Sequence, residues 1–221
     1  MSARLQIDVF FDFICPWCLI GKRQLERARA LLLSQQPEVQ VIVQWHGVQL
    51  LPHMPVGGQP FAEFYSHRLG SAEAVSQRQA QVKQAAEAVG VDIDFSRIAT
   101  MPNTADAHRL LERASQLGSP AQRDALLERL YGAYFQQGDD LGCRQTLLAI
   151  AQDCGFEAAA VEDCLRGDGQ AFVGNGAGAA SGVPCFQFDG RLTVVGAQPA
   201  EALLGAMHEA LLESARERQP A

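Results

Sequence analysis

A short apolar run at the start of the chain is followed by apolar residues at helical spacing. Residues 5–12 are rich in β-branched and aromatic side chains, and they predict a buried strand. Apolar positions seven residues apart, such as Leu25 and Leu32, predict a helix from about Pro16 to Ser34. Val39–Trp45 predicts a second strand. The opening unit is therefore expected to be βαβ, with parallel strands joined by a right-handed crossover.

The middle of the chain has a different pattern. A loop with three prolines, Gly47–Pro60, is followed by helical spacing throughout residues 60–167. Glycines, prolines and capping residues divide this region into separate helices. We expect an all-helical insertion with its own core, whose predicted helices are Phe61–Arg68, Ser71–Val89, Thr104–Leu117, Pro120–Gln136, Arg144–Cys154 and Phe156–Arg166.

Strand character returns near the C-terminus. The glycine-rich stretch 169–182 leaves room for one short helix. Asp189-Gly190 lies between two apolar runs and predicts a hairpin with a type I′ turn. A last amphipathic helix is predicted from Pro199 to about Arg216. Residues 1–59 and 168–221 are therefore expected to form one α/β domain, interrupted by the helical insertion at 60–167.

Composition and charge narrow the functional classes. The chain has 221 residues, of which 48% are hydrophobic and 19% charged, as in ordinary globular proteins. A net charge of -7 disfavours nucleic acid or an anionic membrane as partner. No apolar run approaches the roughly 20 residues that cross a bilayer, and no signal-peptide pattern follows Met1. We expect a cytoplasmic protein, where a cysteine pair is more often catalytic than structural.

Such a pair lies between the first strand and the first helix, as Cys15-Pro16-Trp17-Cys18. Two cysteines at this spacing across the first helical turn can close to a disulfide. The first sulfur lies at the helix N-terminus, where unpaired N–H groups and the helix dipole favour a thiolate. Pro16 suits the first helical position because no N–H is needed there. This arrangement is typical of a redox-active dithiol.

The helical pattern assigns different roles to the two sulfurs. Cys18 shares a face with Leu25 and Leu32, and that face is expected to point into the core. Cys15 is expected at the mouth of the site. We therefore predict that Cys15 is the nucleophile and Cys18 the resolving thiol.

The cysteine pair has two alternative interpretations. A zinc site needs a second pair of ligands, yet no second C-x-x-C occurs and the histidines are scattered. We predict no metal site. Two structural core cysteines are the second alternative. The remaining cysteines are most simply core residues, and they are Cys143, Cys154, Cys164 and Cys185.

Four segments resemble one known family. The order of elements, with C-x-x-C on the first helix, resembles the thioredoxin fold, in which the sheet is mixed and four-stranded. The active-site segment is similar to that of DsbA-type oxidoreductases of the FrnE subgroup, and matching segments span nearly the whole chain in the right order. They are Asp12–Arg23, Asn103–Leu110, Gly182-Val183-Pro184 and Gly196–Pro199. The resemblance implies thiol–disulfide exchange by a mixed-disulfide mechanism.

The resemblance also implies roles for individual residues. Pro184 takes the place of the cis proline that lies against the C-x-x-C, which exposes the backbone of Val183 for pairing with an extended substrate. Pro16 and Trp17 are expected beside the substrate at the mouth. The implied substrate is a protein or small-molecule disulfide or dithiol. No cofactor is implied beyond the redox-active disulfide. His108 belongs to the insertion motif and is expected to serve as a hydrogen-bonding or capping residue.

Two alternative functions remain. Kappa-class glutathione transferases and 2-hydroxychromene-2-carboxylate isomerases share this architecture, but they have a serine where this chain has Cys15. They also carry asparagine before the proline where this chain has Leu51-Pro52. Gln198 could still contact a glutathione carboxylate, which keeps glutathione as an alternative co-substrate. A non-enzymatic binding module is the other alternative, and the intact C-x-x-C beside Pro184 argues against it. Either a monomer or a homodimer fits the sequence.

Overall fold

The computed structural model describes residues 3–174 and 182–217. Residues 175–181, half of the stretch 169–182 where a short helix is predicted to fit, lie outside the described part. The chain divides into two compact units. The first unit comprises Met1–Val48 and Gly174–Ala221, and the second comprises Gln49–Val173. The helical insertion predicted at 60–167 lies within the second unit.

The described residues form strands and helices whose bounds are as follows. In order they are β1 (Arg4–Phe11), α1 (Pro16–Gln35), β2 (Gln40–Gly47), β3 (Gln59–Pro60), α2 (Phe61–Leu69), α3 (Ala72–Glu87), β4 (Thr100–Met101), α4 (Ala105–Leu117), α5 (Pro120–Gly132), α6 (Arg144–Asp153), α7 (Ala158–Val161), β5 (Cys185–Phe188), β6 (Leu192–Val195) and α8 (Ala200–Glu217).

The first unit contains a mixed four-stranded sheet in the order β2-β1-β5-β6. β1 and β2 are parallel, with Ile7 opposite Val43. β5 runs antiparallel to β1, and β6 antiparallel to β5. This is the thioredoxin fold, and it confirms the predicted fold class. The turn between β5 and β6 has φ of 48° at Asp189 and 70° at Gly190, both positive as a type I′ turn requires.

The core of the first unit lies between the sheet and helices α1 and α8. Alternate residues of β1 point into it, which explains the apolar pattern of that strand. Burying each of these large side chains stabilises the fold by about 1.5–3 kcal/mol. The core residues include Leu5, Ile7, Val9, Leu25, Ala28, Leu32, Phe186, Phe188, Leu203, Met207 and Leu211.

The opposite face of the sheet is more polar. Asp8 on β1 lies 2.7 Å from Nε2 of His46 on β2, and Gln6 donates to the same carboxylate at 3.0 Å. The His46 ring stacks on Phe10 with ring centres 5.0 Å apart. These contacts pair polar side chains that alternation turns away from the core.

The second unit is built mainly from helices α2 to α7. Its core contains Leu110, Leu126 and Tyr134 among its fully or almost fully buried residues. A π-helical turn, Ala133–Gln137, extends α5 to one residue beyond the predicted end at Gln136. The unit is not all-helical, however, because β3 and β4 form a two-residue antiparallel ladder. Strands of this length have no periodicity that the sequence could reveal.

The predicted helix Phe156–Arg166 is also shorter than expected. α7 ends at Val161 and a 3-10 turn covers Glu162–Cys164. Side chains from elsewhere take up the backbone groups that a longer helix would use. Arg144 donates to the carbonyls of Glu162 and Leu165. Within the described residues, no helix is long and apolar enough to cross a membrane.

Candidate active site

The turn between β1 and α1 places Cys15 at the N-terminus of the helix. Cys15 is the N-cap residue, with extended backbone angles, and Pro16 is the first helical residue. The Cys15 N–H donates to the Asp12 carbonyl at 3.2 Å, and the Cys18 N–H donates to the Cys15 carbonyl at 3.0 Å. The Cys15 sulfur therefore lies at the positive end of a 20-residue helix.

The two thiols differ in burial. Both are free cysteines; Cys15 is 7% exposed and Cys18 is 2% exposed. Burial raises the pKa of the Cys18 thiol well above its usual value, and a hydrogen bond with Cys15 and the charge on Cys15 raise it further. Cys18 therefore stays protonated at neutral pH. It can donate a hydrogen bond to a Cys15 thiolate, which is the interaction that a resolving thiol makes with a nucleophile.

Val183 and Pro184 lie against this pair. The Val183–Pro184 peptide bond is cis, which confirms the isomer predicted from the family resemblance. The Val183 carbonyl oxygen lies 4.0 Å from the Cys15 sulfur. Pro184 is buried and its carbonyl accepts the Gly196 N–H at 2.8 Å, whereas Val183 is half-buried. The fold therefore brings together residues that are 168 positions apart.

Three other predicted residues are placed as follows. Pro16 and Trp17 are both half-buried on the first turn of α1. Gln198 is exposed, and its side-chain amide donates to the Val195 carbonyl at 3.0 Å. That amide group therefore forms a hydrogen bond with the last residue of β6.

Cys185 follows Pro184 directly and is fully buried, as predicted for a core thiol. Burial raises its pKa, so it is held as a neutral thiol. Cys143 is different. It is the N-cap residue of α6, and hydrogen bonds from the backbone and side chain of Thr146 lower its pKa. Cys143, Cys154 and Cys164 are half-buried and not core residues as predicted, and Cys143, with its lowered pKa, should also react with an alkylating reagent.

Two residues that lie beside the cysteine pair or behind Pro184 were assigned no role from the sequence. Asp12 has no exposed surface, and its backbone and charge both act on Cys18. Its signal in the sequence is an acidic residue between two phenylalanines, Phe11 and Phe13, three positions before Cys15. Gly21 is buried on α1, and a methyl group added there would lie 3.1 Å from Pro184. An isolated glycine inside a helical pattern was the available signal for this residue.

The insertion motif Asn103–Leu110 has a separate role in the second unit. The Asn103 side chain donates to the Met54 carbonyl at 2.6 Å and accepts the Ala105 N–H. Asp106 accepts the N–H groups of Arg166 and Gly167. The motif thus holds two irregular segments of that unit in place.

Two further features of this motif complete its description. Arg109 forms a buried ion pair with Asp106 at 2.6 Å and donates to the Gln170 carbonyl. His108 is buried and its ring stacks on Phe172 with ring centres 5.1 Å apart. In the described part of the chain, no three or more His, Cys, Asp or Glu side chains are grouped so as to hold a metal ion.

Comparisons with known proteins agree with this geometry. Residues 6–208 match the family described as DSBA-like thioredoxin domain. An uncharacterized protein, YwbO from Bacillus subtilis, is 24% identical over 162 residues, which cover 73% of this chain and 72% of YwbO.

Two solved structures are also similar. A probable DsbA oxidoreductase from Streptomyces coelicolor superimposes with a TM-score of 0.78 at 26% identity, over 98% of this chain and 92% of that one. The cytosolic disulfide reductase DsbM from Pseudomonas aeruginosa, solved with GSH, has the same fold. Its TM-score is 0.57 at 17% identity, and the match covers 96% of this chain and 98% of DsbM.

Proposed function

The chain belongs to the DSBA-like thioredoxin family, and we propose that it is a thiol–disulfide oxidoreductase that reacts through Cys15 and Cys18. One observation carries this proposal. A buried, protonated Cys18 is hydrogen-bonded to Cys15 at the N-terminus of α1, beside the cis Val183–Pro184 bond. The assignment to the FrnE subgroup within the family is part of the proposal.

Cys15 is the nucleophile in the first step. As a thiolate it attacks one sulfur of a substrate disulfide, so a bond forms between Cys15 and that sulfur while the substrate S–S bond breaks. The departing sulfur leaves as a thiolate and takes a proton from solvent. The positive end of α1 favours the negative charge on Cys15 before attack.

Cys18 completes the reaction in the second step. It loses its proton and attacks the Cys15 sulfur of the mixed disulfide, and the second substrate thiol is released. The substrate has then gained two electrons, and Cys15 and Cys18 are joined as a disulfide. The reverse sequence oxidises a dithiol, and for this two-electron couple a difference of about 30 mV in potential changes the balance by about 1.4 kcal/mol.

The proposed substrates are disulfides or dithiols of proteins and small molecules. The backbone of Val183 lies close enough to Cys15 to pair with an extended chain beside the attacked disulfide. Glutathione is the proposed small-molecule alternative, since DsbM, of the same fold, was solved with GSH. DsbM is cytosolic, and we propose the cytoplasm for this protein too. Gln198 remains our candidate for a glutathione carboxylate.

A turnover assay with three cysteine variants tests the proposal. With a protein disulfide as substrate, Cys15→Ser is expected to abolish activity. Cys18→Ser is expected to accumulate a mixed disulfide, seen as an added mass that a reductant removes. Cys185→Ser serves as the matched control, because it removes a buried thiol next to Pro184 without removing a reacting sulfur.

Two outcomes would contradict the mechanism. One is wild-type activity in the Cys15→Ser protein, since the serine hydroxyl cannot form the mixed disulfide. The other is glutathione conjugation or isomerisation that survives Cys15→Ser, which would favour the kappa-class type of chemistry instead.

A further inference from the structure

Helix α1 carries a glycine in its interior, one turn after the cysteine pair. Glycine weakens a helix interior relative to alanine, so it usually persists there for a packing reason. Gly21 is buried. Its backbone is helical, so the turn itself does not require a glycine. The reason must lie in what packs against the helix at this point.

The neighbours of Gly21 would crowd even a methyl side chain, and they would have to shift by a few tenths of an ångström to admit it. A Cβ atom built there would lie 3.0 Å from Cζ of Phe186 and 3.1 Å from Cγ of Pro184. Carbon atoms pack best at roughly 3.5–4.0 Å, so both contacts would be too close. The Pro184 ring is bonded to its own backbone and cannot rotate away. Phe186 is fully buried.

A second helical glycine of the same unit is not crowded in this way. Gly205 lies within α8, and a Cβ atom there would meet no atom within 4 Å. Gly205 could therefore be replaced by alanine without a clash. The comparison separates the general effect of a helical glycine from the local effect of the Pro184 contact.

The contact with Pro184 connects Gly21 to the chemistry. The same helix carries Cys15 at its first end, and Val183, which precedes Pro184, has its carbonyl oxygen 4.0 Å from the Cys15 sulfur. If a methyl group pushed Pro184 away from α1, the Val183 backbone would move with it. The distance between Cys15 and the Val183 backbone is therefore set partly by the missing side chain at position 21.

We infer that Gly21 is a positioning residue that seats Pro184 on α1 and so selects for extended peptide disulfides. This inference rests on the proposed function. A peptide substrate must satisfy two conditions at once, pairing with the Val183 backbone and presenting a sulfur to Cys15. A small disulfide only needs to reach Cys15, and it is less sensitive to where Val183 lies.

The test compares Gly21→Ala with Gly205→Ala on two substrates. One substrate is a synthetic extended peptide with a disulfide, and the other is oxidised glutathione. For Gly21→Ala we expect kcat/KM on the peptide to fall by about tenfold or more, as small displacements of reacting groups can cause. The rate with oxidised glutathione should stay within about twofold of wild type, because that attack does not need the positioned backbone. Gly205→Ala should match wild type on both.

A double variant separates Pro184 from Phe186. Gly21→Ala combined with Phe186→Leu removes the Cζ atom that lies 3.0 Å away, while the Pro184 contact at 3.1 Å remains. We expect its thermal unfolding midpoint to recover relative to Gly21→Ala, and the peptide-selective loss to persist. This variant decides the question if Gly21→Ala alone does not fold.

The outcomes separate this inference from the proposed function. The proposed function is tested by whether the wild-type protein turns over either disulfide and whether Cys15→Ser loses that activity. Given that turnover, a wild-type peptide rate in the double variant would overturn the role of Gly21. An equal loss on both substrates would overturn it too, since Gly21 would then serve only the stability of the helix.

Discussion

The backbone carbonyl of Asp12 accepts a hydrogen bond from the Cys15 N–H at 3.2 Å. This bond ties the end of β1 to the residue that caps α1. Asp12 is fully buried, so a carboxyl group lies beside the dithiol without contact with solvent. The pKa of Cys18 is raised mainly by burial, next by Cys15, and to a smaller extent by the charge of Asp12. A hydrogen bond with the Asp12 backbone acts in the opposite direction and lowers it. The two cysteines should therefore differ in reactivity.

The first prediction concerns alkylation of the reduced protein. At pH 7 iodoacetamide should label Cys15 before Cys18, because Cys15 is the more exposed thiol and Cys18 is held protonated. Labelling of Cys18 should increase only above about pH 8.5, the usual pKa of a free thiol. Peptide mapping by mass spectrometry measures both rates. A Cys143→Ser background removes the competing thiol whose pKa is lowered. Equal labelling of Cys15 and Cys18 at pH 7 would contradict the assigned roles.

The second prediction concerns stability at alkaline pH. The pKa of Cys18 is higher in the folded protein than in the unfolded chain, because burial disfavours the thiolate. Its contribution to stability is therefore complete below about pH 8.5 and is lost as pH rises towards the folded pKa. Between about pH 8.5 and the folded pKa of Cys18, the unfolding free energy of the reduced wild-type protein should fall by up to about 1.4 kcal/mol per pH unit relative to that of Cys18→Ala.

Urea unfolding of both proteins at pH 7 and at several values above pH 8.5 measures this difference. Cys18→Ala is the matched control because it removes the buried thiol and keeps every other ionisable side chain, including Cys185, in the chain. If the unfolding free energies of the two proteins changed with pH in parallel, burial would not raise the pKa of Cys18.

The third prediction concerns Asp12. Burial and then Cys15 make the larger contributions to the raised pKa of Cys18, and the Asp12 charge adds to them. Asp12→Asn removes that charge and keeps a side chain of similar size. We expect Cys18 to be alkylated several-fold faster at pH 8.5 than in wild type, because a greater fraction is thiolate. Asp8→Asn, within β1, is the control, since Asp8 pairs with His46 instead. An unchanged Cys18 rate in Asp12→Asn would exclude this charge effect.

The fourth prediction concerns the insertion motif. Asp106 forms a buried ion pair with Arg109 and accepts two backbone N–H groups. Asp106→Ala removes the buried carboxylate partner of Arg109, which keeps its bond to the Gln170 carbonyl, and it leaves the two N–H groups without their acceptor. It should lower the unfolding free energy by about 3–5 kcal/mol. Asp153→Ala removes an exposed partner of Arg129 at 3.7 Å, and it should cost less than about 1 kcal/mol. Chemical denaturation measures both. Equal effects would mean that Asp106 does not hold the Arg166–Gly167 segment.

Local sequence patterns predicted much of the first unit. α1 begins at Pro16 as expected and ends at Gln35, one residue beyond the predicted Ser34. The Asp189-Gly190 turn has the backbone angles that its residues favour. Each of these features depends on neighbours in sequence, namely a capping position, a proline or an Asp-Gly pair. The cis bond before Pro184 was predicted only through the family resemblance, because most X-Pro bonds in folded proteins are trans.

Contacts between distant residues explain what the patterns missed in the second unit. The predicted helix Phe156–Arg166 ends early because Arg144 takes up carbonyls beyond Val161, and Asp106 takes up the N–H groups that follow. Both side chains lie far away in sequence. The two-residue ladder of β3 and β4 likewise pairs Gln59 with Met101.

The sequence by itself determined that two sulfurs would be close together at the start of a helix, since their spacing and the proline between them act within one turn. Only the tertiary structure decided what surrounds those sulfurs. The depth of Cys18, the buried carboxyl of Asp12 and the contact of Gly21 with Pro184 all depend on elements that meet after folding. Burial and close packing are properties of the assembled unit, and no stretch of the chain carries them alone.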